Sequence, residues 1–303
     1  MSGPGVSGPG VSTPRARHRS FAVWFRDVGW RHLVALLAVA FALFPVVWVV
    51  SASFNPTGSL AGQRLIPENP TLDNYRILLD DPSYPFARWF VNTMVIGGIV
   101  AVTTVGLSAM AAFSFSRLRF TGRRVGLMSL LLVQMFPQLL AMVAIFLLMD
   151  NIQDVFPAIG LGTRAGLILV YLGGALGVNT WLMKGFFDSI PSELDEAAKV
   201  DGASHVQVFV RIILPLAAPI LAVVGLLSFI LTINEFVLAS ILLRQPDDYT
   251  LAVGLYRFVG DRYGSRWGPF TAGALLGGVP VIVLWMFLQR FIVSGLTHGA
   301  VKG

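Results

Sequence analysis

The sequence predicts an all-α membrane protein with six transmembrane helices and both termini cytoplasmic, on three observations. Hydrophobic residues make up 55% of the 303 and charged residues only 13%, against roughly a quarter charged in an average soluble domain. Mean hydropathy is +0.73, which leaves too little polar surface to cover a water-soluble globule. The apolar residues gather into six runs, each near the roughly 20 residues that a helix needs to cross a bilayer core.

Residues 1–30 form a tail that reads SGPGV twice, from Ser2 to Val11, and then turns arginine-rich. Gly, Pro and Ser bury too little apolar surface to offset ordering entropy, so disorder is expected there. The first transmembrane helix is placed at 31–53, with its apolar run beginning near Leu33 and ending at Ser53. That run exceeds the roughly 7–15 apolar residues of a signal peptide, so an uncleaved span is expected. An extracytoplasmic loop, 54–87, is rich in Pro, Asn and Asp and holds nothing like a catalytic cluster. One domain, 88–292, carries the other spans at Phe90–Phe115, Val125–Met149, Ala165–Phe187, Pro219–Leu243 and Phe270–Ile292. Residues 293–303 are left as a cytoplasmic tail.

Lys and Arg near the span ends set orientation. With the N-terminus inside, 14 of the 22 fall on the inner side, including Arg117, Arg119, Arg123 and Arg124, and eight fall outside. The net charge of +6 is therefore read as membrane topology and not as a nucleic-acid footprint. Without cysteine there is no disulfide, thiolate metal site or cysteine nucleophile. His18, His32, His205 and His298 show no metal-ligand spacing.

The most informative segment is the loop 190–219. Ser192 can cap a helix, Asp195 stands three residues on, and Glu193 and Glu196 suit the positive end of its dipole. Leu194, Ala197 and Ala198 share one face, and Gly202 supplies the left-handed stop. A second amphipathic turn from Ser204 puts Val206, Phe209, Val210 and Ile213 on one stripe, before Pro215 and Pro219 interrupt it. Periodicity leaves two readings open: a helix resting on lipid headgroups, or one with a protein partner.

Glu196-Ala197-Ala198, three residues, Gly202, nine residues, then Ile212 and Leu214-Pro215 resemble, without a gap, the EAA loop of binding-protein-dependent ABC importer permeases of type I architecture. Asp201-Gly202-Ala203 supplies its centre. From Trp181 onward the chain is similar to the MalG-type permeases of maltose and maltodextrin importers. Thr250 to Gly254, Gln289-Arg290, Gly295-Leu296-Thr297 and Val301-Lys302-Gly303 carry that likeness.

The resemblance implies half of a pore in the cytoplasmic membrane, the other half being a second, MalF-like permease. It implies a dimer of ATP-binding subunits that hold ATP and Mg, and a sugar-binding protein outside. It implies no cofactor and no catalysis on this chain. Glu196, Ala197, Ala198, Asp201, Gly202, Ala203, Ile212, Leu214 and Pro215 would meet the ATPase, and Val301, Lys302 and Gly303 would extend between its subunits. Gly260, Asp261, Arg262 and Tyr263 would tip a loop that reaches the binding protein, although the local sequence departs from the family there. Permeases for trehalose or glycerol phosphate belong to the same wider group and are the alternatives.

Four further features bear on function. Lys184, Lys199 and Lys302 follow Met183, Ala198 and Val301, so no Walker A Gly-Lys pair exists. Gly160-x-Gly162-x-x-Ala165 faintly imitates a dinucleotide fingerprint and is read as a turn. Glu235, beside Asn234, is the acid set within a span, where an ionisable group is costly. It fits an ion path in a secondary transporter, or a hydrogen-bonding group facing a cavity or partner; the resembled permeases commonly carry an acid in this stretch. Gly173-x-x-x-Gly177 and Gly273-x-x-x-Gly277 permit close helix approach, within this chain or against a partner.

Overall fold

The computed structural model describes residues 25–56, 63–260 and 265–300, with side chains except at 26–27, 138–139 and 292–300. All secondary structure among them is helical. The chain divides into two units, 1–48 and 49–303, and the first helix, α1 (Trp30–Ser53), crosses their boundary. Pro45 lies inside α1, a placement that membrane helices tolerate.

In the larger unit, α2 (Asp73–Asp80) orders part of the segment between α1 and the next long helix. Asn74 donates to the carbonyls of Ser53 and Asn55, both at 2.9 Å, which ties α2 to the end of α1. Next comes α3 (Phe86–Arg117), unbroken over 32 residues, about 48 Å at 1.5 Å per residue.

The third expected span, Val125–Met149, is a pair of helices, α4 (Arg123–Gln134) and α5 (Gln138–Val155). Pro137 causes the break: it lacks an N–H and disfavours helical backbone at Phe136. The turn after α5 contains Gly160 and Gly162. A Cβ on Gly160 would overlap the Gln153 backbone, and Gly162 has φ +82°, so the apparent dinucleotide fingerprint is a tight turn. Thr163 then caps α6 (Arg164–Ser189) by accepting from the Gly166 N–H at 3.0 Å.

α7 (Glu193–Val200) and α8 (His205–Leu216) form the loop 190–219. The fifth expected span is also divided, into α9 (Ala218–Asn234) and α10 (Val237–Leu242). A short α11 (Leu251–Tyr256) precedes α12 (Trp267–Ala300), which continues through residues assigned above to a tail. Among the described residues four helices, α1, α3, α6 and α12, are individually long and apolar enough to cross a membrane, and α8 taken with α9 makes a fifth.

α3 packs along α6 and α9, and α9 along α12. One apolar cluster surrounds Trp89, Phe258 and Leu255 near the start of α3, and another surrounds Phe113, Phe187 and Ile213 near its end. Three of the four paired glycines serve contacts inside this chain, whereas Gly173 has no described atom within 4 Å of an added Cβ. Gly177 faces the Leu130 carbonyl and Gln134 of α4, while Gly273 and Gly277 face Leu255 and Leu251.

Candidate functional site

The loop 190–219 is built from two short helices around one glycine. Gly202 adopts φ +83°, the left-handed conformation that a Cβ disfavours. Its N–H donates to the Lys199 carbonyl at 3.0 Å, and the Ala203 N–H reaches back to Ala198 at 2.9 Å. This pair of bonds is the Schellman closure that satisfies the last carbonyls of a helix, here α7. Ser192 makes no side-chain cap, contrary to expectation. The capping box stands one helix later, where Ser204 accepts from Gln207 N–H and the Gln207 side chain accepts from Ser204 N–H.

α8 passes through a π-helical turn at Phe209–Ile213 just before Pro215. The wider turn accommodates a residue without an N–H. At Ala217 the chain bends by 78° into α9, and Pro219 lies in the first turn of α9, where its missing donor costs nothing.

The apolar stripe expected on α8 is divided between two faces. Val208 and Ile213 are buried, with Phe209 and Leu214 packed beside them, in the cluster formed by Ala109, Phe113, Met183 and Phe187. Val206 and Val210 point away and are 70% and 51% exposed. The α7 residues divide likewise. Ala198 and Ala203 pack against the chain's own cluster, whereas Glu196, Ala197, Asp201 and Gly202 are exposed. Among the described residues no atom lies within 4 Å of a Cβ built on Gly202. Ile212 is half-buried, and Pro215 lines an open groove of about 570 Å³ with Leu194, Ile190 and Leu216. The loop therefore has a seat on its own protein and a separate outward surface.

Sequence reasoning missed the polar half of that seat. Asp195 is 7% exposed in its side chain and faces Arg117, the last residue of α3, with Nε 2.6 Å from Oδ2. Arg117 Nη2 also donates to the Ile190 carbonyl at 2.8 Å. The preceding residue, Ser116, donates to Asp188 Oδ1 at 2.6 Å, and Lys184 pairs with the other oxygen of Asp188. In the sequence Arg117 read as a topology charge and Asp195 as the capping-box position three residues after Ser192; their pairing over 78 positions left no local signal.

Glu235 stands at the break between α9 and α10. It accepts from Tyr171 Oη at 2.5 Å, and from the backbone N–H groups of Leu238 at 2.8 Å and Ala239 at 3.1 Å. Both its oxygens thus have donors from this chain, and it caps α10. Asn234 donates to the Ile230 carbonyl at 2.8 Å and borders a cavity of about 210 Å³ with Thr93 and Leu251.

Residues 103–298 match the family described as binding-protein-dependent transport system inner membrane component. The chain belongs to this family. As a family member it is an inner-membrane transport component and not an enzyme. The permease is 41% identical over 283 residues to the maltose/maltodextrin transport system permease protein MalG of Vibrio parahaemolyticus, covering 90% of this chain and 95% of that one. It is 43% identical over 272 residues to the galactooligosaccharides transport system permease protein GanQ of Bacillus subtilis, covering 89% and 94%. Its fold is similar to a solved bacterial ABC transporter involved in import of the acidic polysaccharide alginate. That likeness has a TM-score of 0.71 at 25% identity and covers 89% of the permease and 98% of the other chain.

At the end of the permease opposite the loop 190–219, polar contacts secure the segment after α10. Trp89 Nε1 donates to the Pro246 carbonyl at 2.8 Å, and Asn92 Nδ2 donates to the backbone carbonyls of Asp247 at 2.8 Å and Tyr249 at 3.1 Å. Thr93 Oγ1 accepts from the Leu251 N–H at 2.6 Å. These contacts explain the Thr250–Gly254 signature, because a Cβ on Gly254 would overlap the Trp89 ring. Gly260 donates its N–H to the Tyr256 carbonyl at 2.8 Å. Asp261, Arg262 and Tyr263 lie outside the described residues, as do Val301, Lys302 and Gly303.

Proposed function

We propose that this permease is one half of the translocation pore of an ATP-driven importer for maltose, maltodextrin or a related oligosaccharide. The observation that carries this reading is the outward surface around Gly202. It is set on a bend seated firmly against the permease, and among the described residues no atom lies within 4 Å of a Cβ built there. A helix lying in lipid needs no fixed bend, whereas a knob entering a protein cleft does. The relatives named for maltodextrin and galactooligosaccharides support a neutral oligosaccharide as cargo.

In this reading six spans cross the membrane with both termini cytoplasmic, and the divided α4–α5 and α9–α10 segments count as one span each. The loop 190–219 meets a dimer of ATP-binding subunits, which bind ATP and Mg. A second, MalF-like permease completes the pore, and an extracytoplasmic sugar-binding protein delivers the cargo. A solved relative in fold is in complex with an alginate-pentasaccharide-bound periplasmic protein, which supports that last partner. The residues 260–263 and 301–303 keep their proposed places against the binding protein and the ATPase.

Reconstitution of the permease with its partner subunits in vesicles tests the reading. ATP hydrolysis should rise when binding protein loaded with maltodextrin is supplied outside, and labelled sugar should accumulate. Hydrolysis indifferent to loaded binding protein, with no sugar entry, would contradict it.

A further inference from the structure

We infer that Arg117 and Asp195 are a positioning pair that passes movement of the loop 190–219 into α3, and through α3 to the segment 246–251 at the other end. The inference rests on the proposed docking of that loop to an ATPase and names the residues through which docking would act.

Three observations carry it. First, the loop is seated partly by small side chains, Ala198 and Ala203, whose nondirectional contacts can slide. The Arg117–Asp195 pair, 12% and 7% exposed, sets opposite charges 2.6 Å apart in surroundings of low dielectric, where separating them is costly. Second, the Arg117 guanidinium joins three elements, since it ends α3, touches Asp195 on α7 and holds the Ile190 carbonyl at the end of α6. Third, α3 is unbroken, whereas the α4–α5 and α9–α10 segments are interrupted. Its far end carries Trp89, Asn92 and Thr93, which bind Pro246, Asp247, Tyr249 and Leu251. A push on Asp195 thus enters a rod whose other end grips the outer segment. Arg117 Nε and Asp195 Oδ1 are both buried without a hydrogen-bond partner, so the two side chains are held together by charge and not by a hydrogen bond between them.

The test uses the complete importer in vesicles and reads sugar moved per ATP hydrolysed. Asp195→Asn removes the charge at nearly constant shape. The permease should reach the membrane and retain its ATPase within about twofold of normal, while sugar moved per ATP falls about tenfold. Arg117→Lys keeps the charge but loses the fork to Ile190, and should fall between. It also provides a second reading if Asp195→Asn fails to fold. An unchanged ratio in the variant that folds would overturn the inference, as would losses of permease, bound ATPase and transport in equal proportion. Gly202→Val run in parallel separates the two claims. If it releases the ATPase while Asp195→Asn keeps a normal ratio, only the positioning role fails; if it releases nothing, the docking reading fails.

Discussion

Tyr171 donates its hydroxyl to Glu235 at 2.5 Å, joining α6 to the point where α9 gives way to α10. The same carboxylate accepts two backbone N–H groups at the start of α10. An acid so occupied serves as a cap, and in the proposed six-span arrangement it does so at membrane depth, where uncapped backbone donors are costly. Collapsing proton and sodium gradients with ionophores should leave ATP-driven sugar uptake unchanged. Glu235→Gln presents an amide N–H where one backbone donor needs an acceptor, and should lower stability by about 1–3 kcal/mol while uptake stays within a few-fold of normal. Uptake that follows the ion gradient instead would restore the secondary-transport reading.

Gly254 lies so close to the face of Trp89 that no Cβ fits between them. Gly254→Ala should force the ring or α11 to shift, at a cost of about 1–3 kcal/mol for overpacking. Gly185→Ala is the control, because no atom lies within 4 Å of its added Cβ. Thermal unfolding of the detergent-purified protein, followed by loss of monodisperse material, should show a lower midpoint for the first variant and an unchanged or higher one for the second. Equal midpoints would contradict the packing described at Trp89.

The chain has no cysteine, so single cysteines report topology directly. Lys199 and Asp80 are both exposed and lie on opposite sides in the proposed arrangement. Lys199→Cys should react with an impermeant thiol reagent only after the membrane is opened, and Asp80→Cys should react in intact cells. The reverse pattern would invert the orientation.

Helical character, the apolar runs and the glycine bend were legible in the sequence because each rests on local chemistry. Gly202 in particular announces itself, standing just past an acid-rich helical turn. Other features depended on neighbours that the sequence does not bring together. Ala197 and Ala198 read as one face, yet α3 and α6 draw Ala198 inward and leave Ala197 outside. Ser192 had the chemistry of a cap, but its backbone is already helical, at φ −68° and ψ −20°. Pro137 could have been read as a break, although a run of apolar residues on both sides disguised it as one span. Arg117 with Asp195, and Trp89 with Gly254, are long-range pairs and had no signature to read.

Bulk at Gly202 gives the most direct test of the coupling loop. A Cβ there meets no atom of the described residues, so within them the only penalty is backbone strain, and a clash points to a partner. Gly202→Asn separates the two, because asparagine tolerates the left-handed backbone while adding bulk. The measurement is co-purification of the ATPase with the permease, made alongside hydrolysis stimulated by sugar-loaded binding protein in vesicles. Gly202→Val should lose both, Gly202→Asn should lose most of the bound ATPase, and exposed Lys199→Ala should remain near normal. Membrane levels of all three should match the unmodified chain. Full ATPase retention and normal stimulated hydrolysis in Gly202→Val would contradict the account at its centre.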